Sequence, residues 1–110
     1  MPYHAQHLAE PPTRETVEQL QGAAVLEFGT PWCGHCQRAQ PLIEQALKDQ
    51  AGVAHLKVED GPGRPLGRSY RVKLWPTLVF LRDGQEVARL VRPQTDQDIQ
   101  GALRAITTAA

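Results

Sequence analysis

The stretch Val25-Leu26-Glu27-Phe28-Gly29-Thr30-Pro31-Trp32-Cys33-Gly34-His35-Cys36 holds an apolar run, a single carboxylate and both cysteines of the chain. Ala23 to Phe28 reads as an interior strand covered on both faces, and it runs directly into a C-x-x-C pair. Two cysteines this close enclose almost no loop, so a bridge between them adds little as a staple. Their value is chemical: a dithiol–disulfide couple, with Cys33 at the first turn of a helix where free N–H groups and the helix dipole favour a thiolate. Cys36, one turn inside, is the candidate to attack a mixed disulfide formed on Cys33. Gly34 allows a tight turn, and a protonated His35 places a cation beside the thiolate.

Downstream of the pair, Ala39, Leu42, Ile43, Ala46 and Leu47 recur at helical spacing, predicting a helix from 33 to about 50, closed by Gly52 and kinked at Pro41. Residues 53–59 read as a strand carrying Lys57, residues 61–65 as a loop and residues 66–70 as a short helix. Residues 77–81 and 86–91 form a hairpin around Asp83-Gly84, and Thr95 or Asp96 caps a last helix with Ile99, Ala102, Leu103 and Ile106 on one face. Upstream, Thr13 caps a helix over 13–21, and residues 1–12 read as a loose arm or short edge strand before a single domain over 13–110. The order is βαβ followed by ββα, an α/β fold with a central mixed sheet of four to five strands and helices on both faces.

Composition limits the function. With 110 residues there is room for one core, and twelve basic against twelve acidic side chains leave no net field to attract nucleic acid or a membrane surface. The N-terminal residues carry no basic and apolar leader, and no apolar run reaches spanning length, so a cytoplasmic location is expected. A zinc site built on Cys33 and Cys36 needs two more ligands; His4, His7 and His55 lie at unsuitable spacing, and no metal is expected.

Two residues ask for a physical reason. Glu27 on an interior strand costs several kcal/mol if charged and unpaired, so it is expected to have a raised pKa and to serve Cys36 as a proton carrier, with Lys57 as ion partner. The competing reading turns it to the sheet edge and solvent. Pro76 at a strand start loses a ladder hydrogen bond; an ordinary trans turn explains it, and so does a cis Trp75-Pro76 bond that leaves backbone free to pair with an incoming chain.

The set Val25-Leu26-Glu27-Phe28, Trp32-Cys33-Gly34-His35-Cys36, Pro41, and Pro76-Thr77 before Asp83-Gly84 resembles the thioredoxin family over about residues 13–108. The resemblance implies a thioredoxin fold, with Cys33 as attacking thiol, Cys36 as resolving thiol, Glu27 as buried acid, Lys57 as its partner and Pro76 as a cis-proline. It also implies a thiol–disulfide oxidoreductase without a cofactor, acting as a monomer on protein or small disulfides and recycled by an external flavoprotein reductase or glutathione. The C-G-H-C form, with glutamate as the acid, is similar to protein disulfide isomerase and points to a potential between about −270 and −180 mV. Trp75 is bulkier than the residue the family usually places before the proline, and Arg92 stands near a usual glycine, so a narrower, partly cationic groove is expected. The alternative is a redox-responsive binding module with little turnover.

Overall fold

A computed structural model describes residues 3–107. Helix α1 (Arg14–Glu18) precedes strand β1 (Ala23–Gly29), helix α2 (Gly34–Leu47), strand β2 (Val53–Glu59), helix α3 (Pro65–Ser69), strands β3 (Thr77–Arg82) and β4 (Gln85–Val91), and helix α4 (Asp96–Thr107). The strands form one sheet in the order β2-β1-β3-β4, with β1 parallel to β2 and antiparallel to β3. β1, central and buried at every position, is therefore an apolar run rather than an alternating one.

Alternation along β1 sorts the core into two layers. Ala23 and Val25 pack with Ile43, Leu47, Ile99, Leu103 and Ile106 of α2 and α4. Ala24, Leu26 and Phe28 pack with Val17, Leu66 and Tyr70 around α1 and α3. Each fully buried Leu, Ile or Phe contributes about 2 kcal/mol of transfer free energy, so both layers are needed to offset chain entropy. Glu27, next in parity after Ala23 and Val25, is thereby assigned to the layer under α2.

Thr13 caps α1, its hydroxyl accepting from Thr16 N–H, but the helix ends four positions before Gly22. Thr95, rather than Asp96, receives the capping bond of α4, from Asp98 N–H at 3.1 Å. Asp83 and Gly84 both hold positive φ, 51° and 79°, as a tight hairpin turn demands. A Cβ on Gly84 would fall on the Glu18 carbonyl, so the turn also seats against α1. Residues 3–12 form no strand, and the sheet has four strands among the described residues. The arm is tied down all the same: Leu8 N–H donates to Lys57 O at 2.8 Å.

Candidate active site

Cys33 ends the loop after β1 and is the N-cap of α2, one residue outside the helix expected to begin with it. Its Sγ accepts from Cys36 N–H at 3.2 Å, so a helix-terminal donor is aimed at the sulfur where negative charge would develop. Gln37 fixes the loop by donating its side-chain amide to Pro31 O at 2.9 Å. Both cysteines are free thiols, and Cys33 is 8% and Cys36 4% exposed. Burial pushes the Cys36 thiol up to about 12, helped by its hydrogen bond to Cys33 and the charges of Cys33 and Glu27. Gly29 makes this proximity possible, since a Cβ there would lie 2.5 Å from Cys36 Sγ.

Glu27 is 2% exposed and faces α2, not the sheet edge. Its Oε2 accepts from Gln40 Nε2 at 2.7 Å, and the same amide donates to Cys36 O at 2.9 Å, joining the acid to the turn that carries the resolving thiol. Its Oε1 lies 2.8 Å from His55 Nε2. His55 Nδ1 accepts from His4 N–H at 2.8 Å. The His4 amide thus fixes the ring on one side, with Nε2 turned to the carboxylate on the other.

These contacts correct two expectations. Lys57 does not pair directly with Glu27; its Nζ donates to Gln40 Oε1 and to Ala5 O, both at 2.8 Å, and meets the acid only through Gln40. Glu27 and Lys57 are Cα partners in register, but the Glu27 side chain reaches diagonally to His55, which shares its face of the sheet. The Glu27 pKa is also lowered rather than raised: burial, the largest influence, pushes it up, and the hydrogen bond and charge of His55, the hydrogen bond from Gln40 and the nearby Lys57 charge outweigh that. Glu27 is a carboxylate at neutral pH.

The arm roofs this network. Tyr3 stacks on His55 with ring centroids 5.4 Å apart and donates its hydroxyl to Gln40 Oε1 at 2.6 Å. Burial and the Glu27 charge push the Tyr3 hydroxyl up to about 12, so it stays a donor. A cleft of about 180 Å³ remains between Ala5, Gln6 and His7 of the arm and Thr30, Cys36 and Lys57. Thr30 Oγ1, buried and without a hydrogen-bond partner, lies in its wall. The cleft is of mixed lining, with Thr30, Gln40 and Lys57 among its walls, and is large enough for water between Cys36 and the network.

On the open side, the Trp75-Pro76 bond is cis. Trp32, 72% exposed, meets Trp75 edge to face at 5.7 Å, and the Trp75 indole N–H donates to Asp60 Oδ2 at 2.9 Å. Arg92 holds φ +52° and donates Nε to Trp75 O at 2.8 Å. Its charge, with that of Arg38, holds the His35 pKa below the ordinary value. His35 Nδ1 faces Arg38 Nη2 at 3.1 Å and accepts there. The positive charge at His35 is therefore that of the two arginines around it, not of the ring.

Of the residues expected at the site, Cys33, Cys36, Trp32, Gly34 and His35 share the α2 turn, Glu27 and Lys57 lie behind it, and Trp75, Pro76 and Arg92 form the opposite wall. His55, Gln40 and Tyr3 complete the site and were not singled out from the sequence as parts of it. Among the described residues no group of three His, Cys, Asp or Glu side chains is placed to hold a metal, and no helix is long and apolar enough to cross a membrane.

The family model described as thioredoxin matches residues 5–105. The fold aligns with thioredoxin 2 from Pseudomonas aeruginosa PAO1 in its reduced form at a TM-score of 0.83 and 54% identity, over 94% of this chain and 96% of that one. Thioredoxin H2-1 of Oryza sativa subsp. japonica is 34% identical over 73 residues, 66% of this chain and 53% of that protein. Protein disulfide-isomerase A2 of Pongo abelii is 42% identical over 66 residues, 56% of this chain and 13% of that protein. The chain therefore spans about half the length of the plant relative and a small part of the isomerase.

Proposed function

The chain belongs to the thioredoxin family, whose members are thiol–disulfide oxidoreductases, and from that premise we propose that it reduces disulfides through Cys33 and Cys36 without a bound cofactor. The observation that carries this is the asymmetry of the two thiols: Cys33 Sγ receives a helix-terminal N–H, while Cys36 is held as a thiol at neutral pH.

The Cys33 thiolate attacks one substrate sulfur, the substrate S–S bond breaks, and the departing sulfur leaves as a thiolate that takes up the proton Cys33 gave to solvent. Cys36 then attacks Cys33 Sγ, expelling the second substrate thiolate, which is protonated in turn. Two electrons pass to the substrate and the Cys33–Cys36 disulfide is left. Forming the mixed disulfide removes the Cys33 charge that helps to keep Cys36 protonated, so the resolving thiol becomes more acidic at the moment it is needed. Glu27, already a carboxylate and bonded to Gln40 in the wall of the Thr30-lined cleft, receives that proton by way of this wall and returns it on reduction. An external flavoprotein reductase or glutathione recycles the disulfide.

The proposal extends to a monomer in a reducing, cytoplasmic setting, where free thiols in a C-x-x-C pair serve exchange rather than stapling. The C-G-H-C motif adds isomerase-like character, supported by the Pongo abelii match. Cys33→Ser is expected to abolish insulin-disulfide reduction with dithiothreitol or a reductase, and Cys36→Ser to accumulate mixed disulfides. Full turnover by Cys33→Ser would refute the assignment, and turnover by the wild type no faster than free dithiothreitol would favour a binding module.

A further inference from the structure

Charge is distributed unevenly over a chain of zero net charge. A groove of about 590 Å³ beside the cysteines is lined by His35, Arg38, Leu42, Arg92 and Gln94 among others, with no carboxylate in its wall. Across Trp75 a second groove, about 600 Å³, carries Arg64, Arg68, Arg71 and Lys73. Its acid, Asp60, is engaged by the Trp75 indole, and Arg64 leans on Glu59 at 3.6 Å. Half of the twelve basic side chains thus line two grooves, and two exposed apolar side chains adjoin Trp75, Trp32 by ring contact and Leu74 in sequence.

Arg92 is where this charge meets the peptide-binding wall. It occupies left-handed backbone that glycine would take without strain, and its guanidinium covers Trp75 O, the acceptor a substrate strand would use beside the cysteines. A guanidinium prefers a carboxylate to a carbonyl, because the charge-assisted bond is about twice as strong and can be bidentate.

We propose that Arg92 is a carboxylate-operated gate: an acidic residue flanking the disulfide of a polypeptide substrate draws the guanidinium away, and Trp75 O is released to accept a substrate backbone N–H. The inference rests on the oxidoreductase reading above and names its substrate class, disulfides in acidic polypeptide segments. The remaining arginines and Lys73 steer such segments to the site. A backbone acceptor beside exposed Trp32 and Leu74 suits a peptide strand, whose N–H groups repeat along an extended chain.

The test uses two peptides of one sequence with an internal disulfide, flanked in one by Asp and Glu and in the other by Asn and Gln. Wild type is expected to reduce the acidic peptide about tenfold faster in kcat/KM at low salt, less so at high salt. Arg92→Gly removes the positive-φ penalty and so should fold; it is expected to speed reduction of the neutral peptide and bring the ratio near one. Arg92→Lys keeps the charge without the planar fork and should fall between. Equal rates in wild type, or a preference unchanged in Arg92→Gly, overturn the gate alone, and reduction of neither peptide overturns the oxidoreductase reading with it. A single-stranded oligonucleotide that inhibits both peptides equally, binding more tightly than the acidic one, also overturns it.

Discussion

Behind Cys36, Glu27, Gln40, His55 and Lys57 satisfy one another and the arm in bonds of 2.6 to 2.9 Å, with Glu27, His55 and Lys57 buried. In front of Cys33, His35, Arg38 and Trp32 stand in solvent, and Arg92 is held by its bond to Trp75 O. Both halves serve the same two sulfurs, yet they work in different dielectric regimes. In the buried half each group depends on its partners, and loss of one leaves a charge or donor that water cannot rescue. In the open half salt and water screen every pair, so charge there acts on encounter and selection rather than on stability.

The sharpest way to break this contrast is at Glu27. Glu27→Gln keeps the shape and removes the base, and is expected to slow resolution of a mixed disulfide about 100-fold at neutral pH, read by quenched-flow alkylation. The deficit should shrink in alkali, where Cys36 loses its proton unaided. A resolution rate unchanged at neutral pH would remove Glu27 from the proton path.

His55→Ala comes next, with an expected loss of roughly 3 kcal/mol in urea unfolding, from a vacated aromatic site and a buried carboxylate short of a donor. Its pH dependence separates it from simple cavity formation. In wild type the folded state lowers the Glu27 pKa, so its contribution is present above the ordinary carboxylate value, about 4.3, and is lost as pH falls through the folded value. Without His55, burial becomes dominant and the folded pKa rises. Stability should then decline as pH climbs through and above about 4.3, the reverse slope. A variant that keeps the wild-type slope would deny His55 this role.

The smallest effect is expected in front. Arg38→Gln should change unfolding free energy by less than about 0.5 kcal/mol while reducing the salt dependence of kcat/KM for an acidic peptide. A large stability loss would show that the open half is load-sharing after all.

Much of this was legible before any coordinates. Glu27 stands out because one carboxylate interrupts an apolar run, and Cys33, Cys36 and Pro76 because each breaks a local rule. The partner of Glu27 was not legible. His55 and Lys57 lie two apart on one strand, so period two puts both on the Glu27 face, and formal charge favours the lysine. The decision came from residues 3–8, which offer Lys57 the Ala5 carbonyl and bring an amide to His55. A polar, aperiodic arm carries no pattern that announces such contacts. Arg92 could be suspected from its position, but its bond to Trp75 O depends on a left-handed φ that an arginine does not advertise.

The edge-to-face pair of Trp32 and Trp75 has a practical consequence, because the chain contains no other tryptophan. All of its indole emission arises beside the two sulfurs. Unlabelled protein, excited where only indole absorbs, therefore carries a built-in optical reporter, one that follows oxidation, mixed-disulfide formation and the seating of a peptide against Trp75 in real time.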